Sequence, residues 1–99
     1  MSKNLKTGVQ MERHFKGLAN HYRIEILLLV EKDAGLSVDE ITSALHANFK
    51  TISQHTRYLV HAGLLQKQHK GKAVTSTLTP YGKMFVRFVK DFQRVGATI

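Results

Sequence analysis

The stretch Ser37–Leu65, SVDEITSALHANFKTISQHTRYLVHAGLL, decides the fold. It opens with capping-box spacing, in which Ser37 is the N-cap and Glu40 the third residue of a helix. Ile41 and Leu45 stand four residues apart and give this short helix an apolar side that we expect to face the core. The beginning of the stretch therefore predicts a short, half-buried helix.

A second helix follows after a short turn. Asn48 predicts its N-cap, and Gly63 has the position of the C′ glycine that ends many helices. Ile52, Thr56 and Leu59 have the spacing of an inner face. The predicted outer face is polar and basic and consists of Lys50, Gln54, Arg57 and His61, flanked by Thr51 and Tyr58. Two helices joined by so short a turn are typical of a helix-turn-helix.

Three further helices and a β-hairpin are predicted around this pair. Thr7 caps a first amphipathic helix, and Asn20 caps a second that is apolar nearly all round and is expected to be the buried centre of the fold. The strands Leu64–His69 and Ala73–Leu78 form a half-buried hairpin, and Thr79–Pro80 opens the last helix. The predicted fold class is mainly α with a β-hairpin wing (α+β). It is a winged helix-turn-helix of five helices and one hairpin, in a single domain over residues 1–99.

The composition restricts the classes of function. The chain has 99 residues, 42% of them hydrophobic, which is enough for one core. It has no cysteine, which excludes disulfides, cysteine-ligated zinc and thiol chemistry. We find no signal peptide and no apolar run near the ~20 residues that a bilayer requires, so we expect a cytoplasmic location and no membrane partner. No group of residues has catalytic spacing, so we expect neither enzyme activity nor a cofactor.

The distribution of charge predicts a polyanionic partner. Fifteen Lys and Arg against seven Asp and Glu give a formal net charge of +8. From Ile41 to Lys90 there is no acidic residue, whereas Lys and Arg occur throughout that range. A single-sign stretch of this length in a folded chain predicts a basic face that binds double-stranded DNA.

The second helix of the pair is the predicted recognition element. An α-helix fits the major groove, and the residues near its N-terminus reach base edges. Those residues are Lys50, Thr51, Ser53, Gln54 and His55. Arg57 is predicted to contact a backbone phosphate. Asn48, together with the free amides of the first turn, is also predicted to contact a phosphate. The hairpin tip is predicted to touch the flanking DNA through Lys67, Lys70 and Lys72. His55 and His69 predict a weak pH dependence of binding near about pH 6–7.

Three segments carry a resemblance to a known family. They are Leu18–Leu27 (LANHYRIEIL), Gly35–Ile41 (GLSVDEI) and Thr51–Leu65 (TISQHTRYLVHAGLL). In this order, with the hairpin and the closing helix, they resemble the winged-helix repressors of the ArsR (arsenic repressor) family. The resemblance implies a homodimer that binds an imperfect palindrome in an operator and is released by a small-molecule effector, here unidentified. Thr56 departs from the family's usual Leu and is tolerated if its hydroxyl bonds back to the helix.

The positions that bind metal ions in many relatives lack ligands here. Where those relatives have a Cys pair, this chain has Leu36–Asp39, and its last helix has no His and one acid. The six His, at positions 14, 21, 46, 55, 61 and 69, show no paired spacing within one helix. Because a transition-metal site needs three or four converging ligands, we expect no metal site.

The last helix predicts a dimer interface, because its apolar band is wider than so small a core needs. With the first helix it predicts a homodimer through Met11, Phe15, Phe85, Phe88 and Phe92. A two-fold dimer sets two recognition helices one DNA turn, roughly 34 Å, apart. The sequence thus predicts a sequence-specific transcriptional regulator, most simply a repressor.

Two alternatives stay open at this point. One is a winged-helix module that binds a protein and has no specific DNA binding. The other is a membrane-surface protein, because the last helix has basic residues opposite its phenylalanines, namely Lys83, Arg87, Lys90 and Arg94.

Overall fold

The computed structural model of the chain describes residues 5–97, so residues 1–4 and 98–99 of the predicted domain lie outside the described residues. The elements in chain order are α1 (Gly8–Lys16), α2 (His21–Lys32), β1 (Leu36–Ser37), α3 (Val38–Ala44), α4 (Phe49–His61), β2 (Leu65–Lys70), β3 (Ala73–Leu78) and α5 (Pro80–Ala97). The predicted mainly-α fold with five helices and a hairpin is confirmed.

Side-chain caps begin the helices at the predicted residues. The Ser37 hydroxyl accepts from the Glu40 amide (3.2 Å), and the Ser37 amide donates to the Glu40 carboxylate (2.9 Å). Thr7 forms the same reciprocal pair in α1, and the side-chain oxygens of Asn20 and Asn48 accept from the first-turn amides of α2 and α4. Each cap contributes about 1 kcal/mol, because it satisfies amides that have no partner within the helix.

The core lies between α2, α4 and the elements that pack against them. On α2, Ile26 and Leu27 are almost completely buried, as the apolar circumference of this helix predicts. The predicted inner face of α4 is also confirmed, since Ile52, Thr56 and Leu59 are at most 1% exposed. The buried apolar residues form one cluster: Ile26, Leu27, Val30, Ile41, Ile52, Leu59, Ala62, Leu64, Leu65, Phe85 and Val86.

The sheet has three strands, one more than the predicted hairpin. Its order is β1-β3-β2, and β1 pairs antiparallel with β3 through Leu36 opposite Ser76 and Ser37 opposite Thr75. Thr75 and Ser76 are both buried, because β3 has a neighbouring strand on each side there, whereas Val74 is exposed. Buried and exposed residues therefore do not alternate strictly along β3. A two-residue strand next to a helix cap is too short to show a period in the sequence.

The turn between α3 and α4 contains a strained residue. His46 has φ of 51°, in the left-handed region that favours glycine. Its amide donates to the Ser43 carbonyl (3.2 Å), and the Ala47 amide donates to the Thr42 carbonyl (3.1 Å). These bonds close the end of α3 within one turn, and the left-handed conformation costs about 1–2 kcal/mol. The turn fixes the direction in which α4 leaves α3.

A tight joint connects the end of α4 to the start of α5. The Thr79 hydroxyl donates to the Gly63 carbonyl (2.6 Å) and accepts from the Gly82 amide (3.0 Å). The Thr79 amide donates to the Leu64 carbonyl (3.2 Å). A Cβ at Gly82 would lie 2.1 Å from that same carbonyl oxygen, so glycine is required for this approach. These hydrogen bonds attach the start of α5 directly to the end of the helix-turn-helix.

Thr56 differs from its prediction in one respect. Its hydroxyl is buried without a hydrogen-bond partner among the described residues, so the bond back to the helix that its sequence context suggested is not formed. An unpaired buried hydroxyl opposes folding by about 1–3 kcal/mol.

We expect Thr56→Val to raise the free energy of unfolding by about 1 kcal/mol, because it removes this hydroxyl and keeps the branched shape. Urea unfolding at one protein concentration measures the change. The matched control is Thr42→Val, whose hydroxyl donates to the Val38 carbonyl (2.8 Å) and whose loss is expected to lower stability. Equal destabilisation by both substitutions would contradict the assignment.

Candidate nucleic-acid interface

The outer face of α4 presents polar and basic side chains on a firmly held helix. Lys50, Gln54 and Arg57 are exposed on the side opposite the buried Ile52 and Leu59. With Phe49 and Ser53, these three residues line a shallow surface depression. The structure therefore brings together most of the predicted base-contacting residues and the predicted phosphate contact Arg57. Thr51 is half-buried at the edge of this face.

Within the described residues, no carboxylate neutralises the charges of this surface. Four ion pairs occur among residues 5–97, and they join Glu12 to Lys16, Glu25 to His21, Glu31 to Lys90 and Asp91 to Arg94. None involves a residue of α4 or of the hairpin. The basic side chains of both elements are therefore available to an external anion.

Phe49 is a component of this face that the sequence reasoning missed. It is the first residue of α4, and 52% of its surface is exposed. An apolar side chain beside Gln54 and Lys50 suits contact with a thymine methyl group in the major groove. The sequence did indicate the exposure of Phe49, because an aromatic residue directly after an N-cap has few core neighbours to contact.

The N-terminus of α4 is already capped. The Asn48 side-chain oxygen accepts from the amides of Lys50 (2.8 Å) and Thr51 (3.3 Å). Two of the first-turn amides therefore have an internal partner, and the contact of Asn48 with a phosphate stays a prediction.

His55 faces α2 as well as the outer surface. Its ring stacks on Tyr22 with centroids 5.7 Å apart, and Tyr22 in turn contacts the ring of His21 (4.2 Å). Burial, followed by the nearby positive charges of Arg23 and His21, lowers the pKa of His55 below its ordinary value of 6.5. The imidazole is thus mainly neutral at neutral pH. Any pH dependence that it gives to binding is therefore displaced towards lower pH.

Arg23 of α2 contacts α4, a role that the sequence did not indicate. Its guanidinium lies 3.9 Å from the centroid of the Tyr58 ring on α4, a cation–π contact. The same group donates to the Lys16 carbonyl at the end of α1 (3.3 Å). Arg23 therefore connects α1, α2 and α4. Only the tertiary structure brings Arg23 and Tyr58 together.

The hairpin presents its cations around a tight turn. The last pair of the ladder is Lys70 opposite Ala73, which leaves Gly71 and Lys72 as the two turn residues. Gly71 has φ of 62°, the left-handed conformation that such turns require. Lys67, opposite Ser76, lies further down the strand. The three predicted wing lysines are all exposed.

The two terminal helices expose an apolar face. Met11 and Phe15 of α1 and Phe88 and Phe92 of α5 are 40–69% exposed. We call these four residues the phenylalanine face. Phe85, also predicted for the interface, is only 6% exposed and belongs to the core, where its ring meets Phe15 edge-on at 5.1 Å. Exposed apolar patches are typical of protein, membrane or ligand contacts.

The described part of the chain contains neither a metal-binding cluster nor a membrane-spanning helix. Among residues 5–97, no three His, Asp or Glu side chains come close enough together to hold a metal ion. Within the same residues, no helix combines the length and the apolar character needed to cross a bilayer.

Comparisons with known proteins match about half of the chain to a described family. Residues 20–67 match the family described as bacterial regulatory protein, arsR family. The arsenic resistance transcriptional regulator ArsR1 of Pseudomonas putida is 38% identical over 66 residues, which are 67% of this chain and 52% of that protein. The chain thus spans about half the length of this curated relative.

Solved structures show the same fold. HlyU from Vibrio cholerae superimposes with a TM-score of 0.75 and 28% identity over 93% of this chain and 97% of that chain. The homodimeric winged helix-turn-helix DNA-binding domain of a possible ArsR-family regulator from Mycobacterium bovis gives a TM-score of 0.75 with 25% identity. That match covers 98% of this chain and 91% of the other.

We expect His55 to titrate below pH 6.5, because burial and the Arg23 charge disfavour its protonated form. Its stabilising contribution is therefore present above the unfolded-state pKa and is lost as the pH falls towards the folded-state pKa. NMR titration of the histidine ring protons measures this, with His55→Gln to assign the signal. Arg23→Gln is expected to raise the pKa of His55. A pKa at or above 6.5 in the wild type, or a fall in Arg23→Gln, would contradict this environment.

Proposed function

We propose that the chain, whose residues 20–67 match the arsR family of bacterial regulatory proteins, is a DNA-binding transcriptional regulator. The observation that carries the proposal is the outer face of α4, which exposes Lys50, Gln54 and Arg57 without a carboxylate partner among the described residues. Family and fold are those of transcription regulators and not of enzymes. The partner is double-stranded DNA, and the protein acts in the cytoplasm.

In this proposal α4 enters the major groove of the DNA. Gln54 pairs with adenine through its amide, and Lys50 donates to guanine acceptors, since these side chains match the donor and acceptor patterns of those bases. Ser53 and Thr51 contact bases or phosphates near the same end of the helix. Arg57, one turn further along, contacts the backbone. Burial of the inner side of α4 keeps these groups at fixed relative positions.

The hairpin provides the second contact. Lys70 and Lys72 flank the turn, and Lys67 lies on the adjoining strand. We assign these three lysines to phosphates beside the site that α4 occupies, because flexible ammonium groups at a tip bind charge and carry little base specificity. The wing therefore adds affinity and register, and α4 adds sequence preference.

Two copies of the chain act together. The phenylalanine face covers its counterpart on a second copy, so that α1 and α5 of the single domain form a two-fold interface. The similar domain from Mycobacterium bovis is described as homodimeric, which supports this assembly. A two-fold dimer places two copies of α4 about 34 Å apart, one turn of DNA, and therefore binds a palindromic operator.

Regulation follows from occupancy of the operator. A dimer bound over a promoter excludes polymerase, so the protein is a repressor. A small-molecule effector that binds one conformation of the dimer better than the other shifts the population away from the DNA-binding state.

We expect Gln54→Ala to weaken binding to the operator about 5- to 150-fold for each half-site, since one bidentate base contact contributes about 1–3 kcal/mol of discrimination. Fluorescence anisotropy on the duplex upstream of the protein's own gene and on a scrambled duplex, from about 50 to 200 mM salt, measures it. Gln93→Ala, on the exposed side of α5, is the matched control.

Binding of Gln54→Ala to the scrambled duplex should be unchanged, whereas Arg57→Gln should weaken both duplexes and lower the salt slope by about 1 for each bound copy of the chain. Unchanged sequence preference in Gln54→Ala would remove its base-contacting role. Failure of the wild type to bind either duplex would favour the protein-binding alternative.

We expect Phe88→Glu to convert the dimer into a monomer, because it places a charge at the centre of the apolar interface. Sedimentation velocity measures the oligomeric state. Phe49→Glu is the matched control, since Phe49 is exposed to a similar extent (52% against 55%) but lies on α4. The control should stay dimeric and lose DNA affinity. A stable dimer of Phe88→Glu would contradict the proposed interface.

A further inference from the structure

A cleft of about 930 Å³ lies between α5, the end of α2 and the hairpin. We call it the α5 cleft. Neither the DNA-contacting face nor the phenylalanine face uses it. Its volume falls within the range of about 300–1,000 Å³ that is usual for small-molecule sites.

One wall of the α5 cleft is a row of hydrogen-bonding side chains on the sheet. Gln66 and Gln68 are two residues apart on β2 and therefore point to the same face. Thr77 lies directly opposite Gln66 on β3 and shares that face. Two amides and a hydroxyl on this wall offer donors and acceptors to a ligand with polar groups.

The base of the cleft is apolar. Val30 and Ala34 come from the end of α2, Leu78 from β3 and Val86 from α5. Val86 is also part of the buried core, so this floor rests on rigid packing. A ligand here needs an apolar body as well as polar groups.

The opposite wall is α5, which has two cations in ion pairs and two without a carboxylate partner among the described residues. Lys90 pairs with Glu31 across the cleft (2.8 Å), and Arg94 pairs with Asp91. Lys83 and Arg87 stand four residues apart on one side of α5, and neither has a carboxylate partner among residues 5–97. One end of the cleft is thus neutralised, and the other has two free positive charges.

We propose that the α5 cleft binds a small organic anion with one carboxylate or phosphate group and an apolar body. Lys83 and Arg87 hold the anionic group, Gln66 and Gln68 orient polar substituents, and the apolar body lies on Val86. The Lys90–Glu31 and Arg94–Asp91 pairs leave the other end without net charge, so the site offers positive charge to one anionic group and not to the continuous DNA backbone.

Binding at this site does not depend on the proposed DNA-binding function and can be measured without DNA. The probes are sodium octanoate for a carboxylate with an apolar body, phenyl phosphate for a phosphate with an apolar body, and inorganic phosphate for the charge alone. Titration of the full ¹⁵N-labelled chain, followed by ¹H–¹⁵N NMR, measures affinity and location together.

We expect octanoate or phenyl phosphate to cause saturable shifts at Gln66, Gln68, Thr77 and Arg87, with inorganic phosphate at least tenfold weaker. The double variant Lys83→Gln, Arg87→Gln is expected to lower the affinity at least tenfold. The matched control, Lys50→Gln with Arg57→Gln on α4, is expected to bind as the wild type does. NMR spectra of both variants establish that they are folded.

Three results would overturn the proposal. They are the absence of saturable shifts with either organic probe, shifts confined to Phe88 and Phe92, and equal affinity of the two double variants. Better binding of octanoate than of phenyl phosphate would assign the site to carboxylates, and the reverse order would assign it to phosphate esters.

Discussion

The rest of the structure depends on the complete burial of one side of α4. A 13-residue helix of this composition is marginal in isolation, because helices shorter than about 12–15 residues gain too few hydrogen bonds to offset nucleation. Ile52 and Leu59 are fully buried, and burying such a side chain contributes about 1.5–3 kcal/mol. This packing allows the other side of α4 to be mostly polar and basic, with no carboxylate among the described residues paired to its cations.

The end of α4 is the point at which the proposed DNA-binding and dimer-forming surfaces meet. His14 of α1 is buried there and donates from Nδ1 to the Ala62 carbonyl (2.7 Å). Tyr81 of α5 stacks on its ring with centroids 4.6 Å apart. The Thr79 hydroxyl binds the neighbouring Gly63 carbonyl. The two helices that carry the phenylalanine face are therefore attached directly to the end of the helix that faces the DNA in our proposal.

Local sequence signals predicted the helices, because caps and apolar spacing act within one or two turns. Ser37 with Glu40, Asn48 and Gly63 mark helix ends by hydrogen bonds and backbone geometry that depend on neighbouring residues. The features that the sequence did not predict are long-range. β1 exists only because Leu36 meets Ser76, and Arg23 supports α4 only because Tyr58 lies beside it.

The proposed DNA-contacting surface was predictable for the same reason. Exposure of Lys50, Gln54 and Arg57 follows from the period of α4, whereas the position of His55 against Tyr22 and the burial of Phe85 depend on how separate helices pack. The left-handed His46 illustrates the limit, because glycine or asparagine is the usual residue in that conformation.

Hydroxyl-radical footprinting of the wild-type protein on the DNA upstream of its own gene tests whether two copies of α4 bind successive major grooves. In that case we expect two protected patches on one face of the duplex, about 10 base pairs apart and related by a palindrome. Protection of a single patch, or uniform protection without a phase, would contradict it.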